Sequence, residues 1–390
     1  MPDHRILISA WARSAVAPHG GAFRKLLPHE IGAPVLHGLL QRAGLAAQHI
    51  DAVILGNALG AGGNPARMVA LAAGLPDRCA ALTVDTQCCA GLDAIALAAG
   101  MLASGQAEVV VAGGVEAWSR APIRQHRPLL PDELPVAYER PAFAPDPARD
   151  PDLLQAAADY ARTHGISRST QDDYALQSHA RAVDQAPALR TEIVPVAGLT
   201  QDAYPRLLTA RAAARLPVQA QAQPHTQSPP ADCAVSTLAI SSRADGAAMV
   251  LMMTPAAAAR YGLSPGAQWL ASASKGLDPA MPLLAAESAT RTVLQRGNLP
   301  NAQACAVVEL HDAFAVQGLA YCRALGLEPH AINRLGGGIA RGHPIGASGA
   351  IALVRVLADL ERLGQARAHG LASVAGAGGI GAATLVQWRR

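Results

Sequence analysis

Residues 83–100 read TVDTQCCAGLDAIALAAG, and this stretch decides the fold. An apolar run ends at Val84 and a polar turn follows. From about Gly91 to Ala103 the chain is then small, apolar and free of proline. That is a strand feeding a helix. Glu108-Val109-Val110-Val111-Ala112 forms the next apolar run, which Gly113-Gly114 is expected to stop. Upstream, Ile6-Leu7-Ile8 and Ala52-Val53-Ile54-Leu55 read as further strands. Continuous apolar strands alternating with helices specify an α/β sheet covered on both faces.

The same pattern returns near the end of the chain. Ile95-Ala96-Leu97, Gly105-Gln106-Ala107, a strand and Gly113-Gly114 are echoed by Ile351-Ala352-Leu353, Gly364-Gln365-Ala366, a strand and Gly378-Gly379. The offset is 256 at the first match (95 against 351) and 259 at the second (105 against 364). Asp51-Ala52-Val53-Ile54 has a partner in Cys305-Ala306-Val307-Val308. The common order points to an internal duplication. The middle differs. Residues 121–151 hold eight prolines, and a Pro/Gln-rich stretch runs from Pro217 to Pro230. Proline removes backbone donors, so both read as surface excursions around a helix expected over Ser169–Val183, preceded by the Ser167/Ser169 capping region. The expected divisions are a first half over 1–118, an inserted segment over 119–240, a return to the first half over 241–265 and a second half over 266–390.

Composition narrows the function. Of 390 residues 51% are hydrophobic and 16% charged, which excludes a disordered chain. Aromatics are only 3%, so Ala, Val and Leu must pack closely spaced layers. A net charge of +3 without a basic block argues against nucleic acid. No run of 18 apolar residues occurs, so no membrane span is expected. The opening MPDHRILISAWARSA reads as a first strand and not as a signal peptide. Six cysteines without a CxxC pair fit neither a zinc site nor a disulfide scaffold, and a reducing cytoplasm is expected.

Four segments carry chemistry. Cys88 and Cys89 lie where the strand meets the helix, and the positive helix end is expected to lower a thiol pKa there. Acyl transfer needs such a nucleophile; a buried structural cysteine is the alternative. INRLGGGIARGHPIGASGAIAL (332–353) sets His343 in a glycine-rich turn before a helix. Histidine accepts and returns protons near neutral pH. A phosphate loop is the alternative, though GxxxxGK[ST] is missing. VVELHDAFAVQ (307–317) places His311 after an apolar strand, with helix capping by Asp312 as its alternative. GLASVAGAGGIGAATLVQW (370–388) offers backbone N–H groups for an oxyanion, or merely a tight turn.

Together these segments resemble the thiolase family almost end to end. TVDTQCCAGLDA is similar to that family's nucleophile motif TVNRxC(A/S)SGLxA, with Cys88 in the nucleophile's place. NRLGGGIARGHPIGASG matches its second motif, including His343. GGVEAWSRAP, ISRSTQDDYALQSHARA, DAYPRLLTARAAARLPV and ISSRADGAA fit the segments in and around its loop domain. The resemblance implies the thiolase fold: two duplicated five-stranded α/β halves in βαβαβαββ order, layered α-β-α-β-α, with an inserted loop domain that helps hold coenzyme A. It implies an acyl-thioester on Cys88, His343 as the acceptor of the Cys88 proton, and an oxyanion hole from the backbone N–H groups of Cys88 and Ala377. It further implies Ser241 near the pantetheine arm and a homodimer or homotetramer. The substrate is then a coenzyme A thioester or another acyl thioester, with no permanently bound cofactor and no metal.

The departures fall at the chemistry. The family's second cysteine, in GLAxxCxGGG, is Ala375 here. The Asn of its NEAF motif is His311, as in the sterol-carrier-protein-type branch, but that branch's HDCF cysteine is Ala313 here. The usual His-Met-Gly ahead of ISR is Asp152-Leu153-Leu154. Cys88, His311 and His343 remain, a set similar to that of decarboxylating ketosynthases of the same superfamily. Cys89 is a second candidate base, although consecutive residues at a helix start diverge by about 100°. The expected activity is acyl transfer from a thioester to a carbon nucleophile. The alternatives are decarboxylative condensation, and a non-catalytic subunit acting with a small accessory protein.

Overall fold

The protein was analysed as a computed structural model that describes residues 5–221 and 232–389. The first half contributes β1 (Ile6–Arg13), α1 (Pro28–Ala43), β2 (Ala52–Gly56), α2 (Pro65–Ala72), β3 (Ala80–Val84), α3 (Ala90–Ala103) and β4 (Val109–Ala117). The intervening segment carries α4 (Leu153–Thr163) and α5 (Arg168–Asp184), and β5 (Ala244–Met253) then returns to the first half. The second half contributes β6 (Ala267–Gly276), α6 (Ala285–Arg296), β7 (Val307–His311), α7 (Ala315–Leu325), α8 (Ser348–Leu363), β8 (His369–Gly376) and β9 (Ile380–Trp388).

These strands form one sheet in the order β7-β8-β9-β6-β1-β5-β4-β2-β3, with the short strand Ala17–Pro18 added against β5. In the first half β2 runs parallel to β3 and β4, while β4–β5 and β5–β1 are antiparallel. The second half repeats this: β7 parallel to β8, then β8–β9 and β9–β6 antiparallel. Where β3 would recur, Asn333 takes its place. Its N–H donates to Val308 O at 3.0 Å and its Oδ1 accepts from Leu310 N at 2.9 Å. The halves join through β1 and β6, paired at Ile6–Ile8.

Three apolar clusters give the layers. α3 and α8 share the central one with strands of both halves. α1 and α2 cover the outer face of the first half, and α6 and α7 that of the second. The duplicated helices α3 and α8 are thus the buried middle layer, which is why α3 is almost entirely small or aliphatic and α8 is so through its first seven residues.

Gly113-Gly114 do not stop β4, which continues to Ala117. They answer a packing demand instead. A Cβ on Gly114 would lie 2.1 Å from Gly346 O, so the turn before α8 sits directly on the strand. Between β4 and β5 the chain makes its long excursion, where the second half has only the turn 377–379 between β8 and β9. α5 starts one residue before its expected bound, with Ser167 Oγ accepting from Thr170 N at 3.1 Å. α4 and α5 share a core with Phe314 and Ile339 of the second half. Within the Pro/Gln-rich stretch, 222–231 lie outside the described residues. Buried charges tie the parts together. Arg13 of β1 binds Glu192 and Asp202, each at 2.6 Å, and Arg355 of α8 binds Glu192 and Asp359.

Candidate active site

Cys88 sits in a single helical turn, Gln87–Cys89, between β3 and α3. Gln87 before it adopts φ +53°, a left-handed conformation unusual for a residue with a side chain. Asp85 Oδ1 holds that bend by accepting from Gln87 N at 3.0 Å and Gln87 Nε2 at 3.1 Å. The turn presents the Cys88 sulfur to the loop before α8. There His343 Nε2 lies 3.1 Å from Cys88 Sγ, so residues 255 apart in sequence share a hydrogen bond.

The far side of the His343 ring meets a hydroxyl. Ser348 Oγ lies 2.7 Å from His343 Nδ1 and donates to Pro344 O at 3.0 Å. Burial drives both partners to their neutral forms. It pushes the Cys88 thiol up to about 12, against the pull of the Ala377 and Cys88 backbone N–H groups directed at the sulfur. It pushes His343 down to about 4. The helix-end effect expected to favour a thiolate is outweighed by desolvation. Such a pair can move its proton as the sulfur attacks, because no ion pair needs to exist beforehand.

His311 ends β7 and is buried. Its ring stacks on His343, with centroids 4.3 Å apart and planes 24° from parallel. Burial, then His343 and Arg341, hold it well below the usual histidine range. Its Nε2 has no hydrogen-bond partner among the described residues. Gly338 must be glycine for this packing, since a Cβ there would lie 2.6 Å from the His311 ring. Asp312 does not cap α7. It accepts from Tyr174 Oη at 2.7 Å and Ile339 N at 3.3 Å, tying α5 to the glycine loop.

The other sequence candidates separate. Cys89 is buried in the central core with Sγ toward Val374 O at 3.8 Å, on the side of β8. Ser241 borders the site: its hydroxyl donates to Gly338 O at 2.6 Å and its N–H to Ala313 O at 2.9 Å. Ala375 is buried and faces the outer core of the second half. Asp152 caps α4 by accepting from Leu154 N and Gln155 N, and Leu153 and Leu154 pack on the core shared with Phe314.

Two residues escaped sequence reasoning. Ser348 lies inside the motif that singled out His343, yet only the fold turns its hydroxyl to the ring. Glu116 is fully buried between the halves and accepts from Asn57 Nδ2, Ala58 N and Gly346 N at 2.9–3.0 Å. Burial raises it to about 7. Its signal was a lone acid within GGVEAWSRAP after an apolar strand. Among the described residues no cluster of three or more His, Cys, Asp or Glu could hold a metal ion. No helix among them is long and apolar enough to cross a membrane.

Comparison with known proteins agrees with this architecture. Residues 6–256 match the model of the thiolase N-terminal domain and residues 263–388 that of the thiolase C-terminal domain. The chain belongs to the thiolase family of acyltransferase enzymes. An acetyl-CoA acetyltransferase of Rhizobium meliloti is 36% identical over 402 residues, covering 99% of this chain and 100% of the relative. One from Cupriavidus necator is 34% identical over 405 residues, covering 98% of each. The crystal structure of the Bacillus anthracis acetyl-CoA acetyltransferase superposes with a TM-score of 0.87 at 31% identity, covering 99% of both chains.

Proposed function

We propose that this enzyme takes an acyl group from a coenzyme A thioester onto Cys88 and passes it to a carbon nucleophile. The observation that carries the reading is the 3.1 Å contact between Cys88 Sγ and His343 Nε2. Cys88 Sγ attacks the thioester carbonyl while His343 Nε2 takes the thiol proton. The carbonyl oxygen turns toward the Cys88 and Ala377 N–H groups as it gains charge. Collapse of the adduct breaks the bond to the coenzyme A sulfur, which receives the proton back from His343. Ser241 Oγ donates to Gly338 O and keeps a lone pair for an amide N–H of the pantetheine arm.

Coenzyme A enters as substrate, with no resident cofactor, and the protein works in the cytoplasm. The division into two halves with a loop domain over 119–240 follows the same reading; α4 and α5 of that segment pack on Phe314 and Ile339 of the second half. A homodimer or homotetramer fits the open edge at β3, where Leu82, Met68, Leu71 and Leu97 leave apolar side chains exposed.

A second reading concerns the carbon nucleophile. His311 stacks on His343 with Nε2 unpartnered, whereas Ala375 and Ala313 carry no titratable group. Two imidazoles beside the acyl site suit an enolate oxygen released by loss of carbon dioxide, which needs no α-proton base. This favours a malonyl-type thioester as donor, and His311-Asp312-Ala313-Phe314 resembles the sterol-carrier-protein-type motif without its cysteine. The test is the intact mass of the protein after incubation with a panel of acyl-CoAs. Acyl adducts of the expected mass support the reading, and an unmodified protein across the panel rejects it in favour of a non-catalytic subunit.

A further inference from the structure

We propose that Ser348 is a positioning residue for the nucleophile: its hydroxyl, anchored on Pro344 O, accepts the His343 Nδ1 proton and fixes the tautomer that presents a bare Nε2 to Cys88. This rests on the reading of Cys88 as nucleophile and His343 as its base. The contacts form an unbroken chain. Cys88 Sγ to His343 Nε2 is 3.1 Å, His343 Nδ1 to Ser348 Oγ 2.7 Å, and Ser348 Oγ to Pro344 O 3.0 Å. Ser348 is buried, at the first turn of α8. The backbone around the ring is fixed separately. His343 N donates to Ser242 O at 2.6 Å, and Gly346 N donates to Glu116 at 3.0 Å. These bonds place the turn but leave the ring's rotation and tautomer open. Ser348 is the group that decides them.

The device differs from a carboxylate-backed histidine. A hydroxyl that has spent its own proton on a carbonyl can only accept, so it selects the Nδ1–H form as a carboxylate would. It carries no charge, however, and does not favour the imidazolium. The resting pair stays neutral, and the proton transfers only as the thioester is attacked. Where a carboxylate holds the ring, loss of the right tautomer costs about 10⁴ in rate. A neutral hydrogen bond holds less strongly, so Ser348→Ala is expected to slow acylation by about 10–100-fold.

The experiment compares the full-length protein with Ser348→Ala and Ser348→Thr. Acylation by acetyl-CoA is timed by intact mass, and the His343 tautomer is read by ¹⁵N NMR, assigned with His343→Asn. The parent is expected to show Nδ1–H. The alanine variant should show a mixture and slow acylation, and threonine should restore both. An Nε2–H ring in the parent overturns the proposal without any variant. So does an alanine variant that keeps the parent's rate and tautomer. Acylation that persists in Cys88→Ser instead refutes the nucleophile assignment, an outcome distinct from failure of the Ser348 role.

Discussion

Cys88 Sγ and His343 Nε2 meet at 3.1 Å with both groups held uncharged. Their pH behaviour follows. His343, pushed down to about 4, accepts a proton only while neutral, so acylation should be level through mild acid and fall as pH drops toward 4. Alkylation of free Cys88 by iodoacetamide needs thiolate and should still be climbing at pH 9, because the thiol is pushed up to about 12. Stopped-time mass spectrometry across pH reads both. A plateau in alkylation by pH 7 would show a preformed ion pair and contradict the neutral one.

The acyl group should reside on Cys88 and not on Cys89, whose sulfur points toward Val374. Peptide mapping after acetyl-CoA treatment is expected to find the added mass on Cys88 and to lose it in Cys88→Ser. A label on Cys89 in that variant would reverse the assignment.

Ala375 and Ala313 offer no acid to protonate the α-carbanion that thiolysis releases. Loss of a positioned acid/base costs about 10²–10⁴ in rate. Acetoacetyl-CoA thiolysis should therefore be slow while acylation stays fast, and Ala375→Cys should raise thiolysis more than acylation. Loss of the acetoacetyl absorbance measures the first and intact mass the second. Thiolysis as fast as that of a two-cysteine thiolase assayed alongside would point to another base, with His311 or Cys89 the first to substitute.

Gly114 is predicted to tolerate no side chain. Its missing Cβ leaves room for Gly346 O, and Ala347 Cα lies 2.8 Å from the same point. Both obstacles are backbone, so the turn carrying His343 must shift. Gly114→Ala should lower stability by about 2 kcal/mol or more and impair acylation as well. Urea midpoints and acylation rates test the pair of effects; a stable, active variant would mean the two layers separate easily.

Glu192 is buried between Arg13 and Arg355. Glu192→Gln leaves two buried guanidinium groups short of an anion and should cost about 3–5 kcal/mol. The urea midpoint is the measurement, and a change below about 1 kcal/mol would show that Asp202 and Asp359 satisfy both arginines alone.

Much of this protein is set out in the local sequence. Apolar runs ending in turns mark β2, β4, β7 and β8, because a strand buried on both faces needs side chains of that kind; the edge strand β3 carries a similar run although none of its residues is buried. The order of those runs reveals the duplication. The motifs around Cys88 and His343 identify the two residues that meet, because the turn at Cys88 and the glycine loop each have local backbone requirements that the sequence states openly.

Only the tertiary structure decided the rest. Gly113-Gly114 look locally like a strand end, but pairing with Met249 and Ala248 of β5 makes them strand interior, and the contact of Gly114 with Gly346 comes from the other half of the molecule. The same is true of charge. A cysteine at a helix start reads as acidified, yet enclosure between two packed layers outweighs the helix end and raises it. Asp312 reads as a cap until Tyr174 arrives from the inserted segment. Ser348 becomes a partner of His343 only when the loop closes on α8. Desolvation and close approach depend on what lies across a layer, and no window of sequence contains both sides.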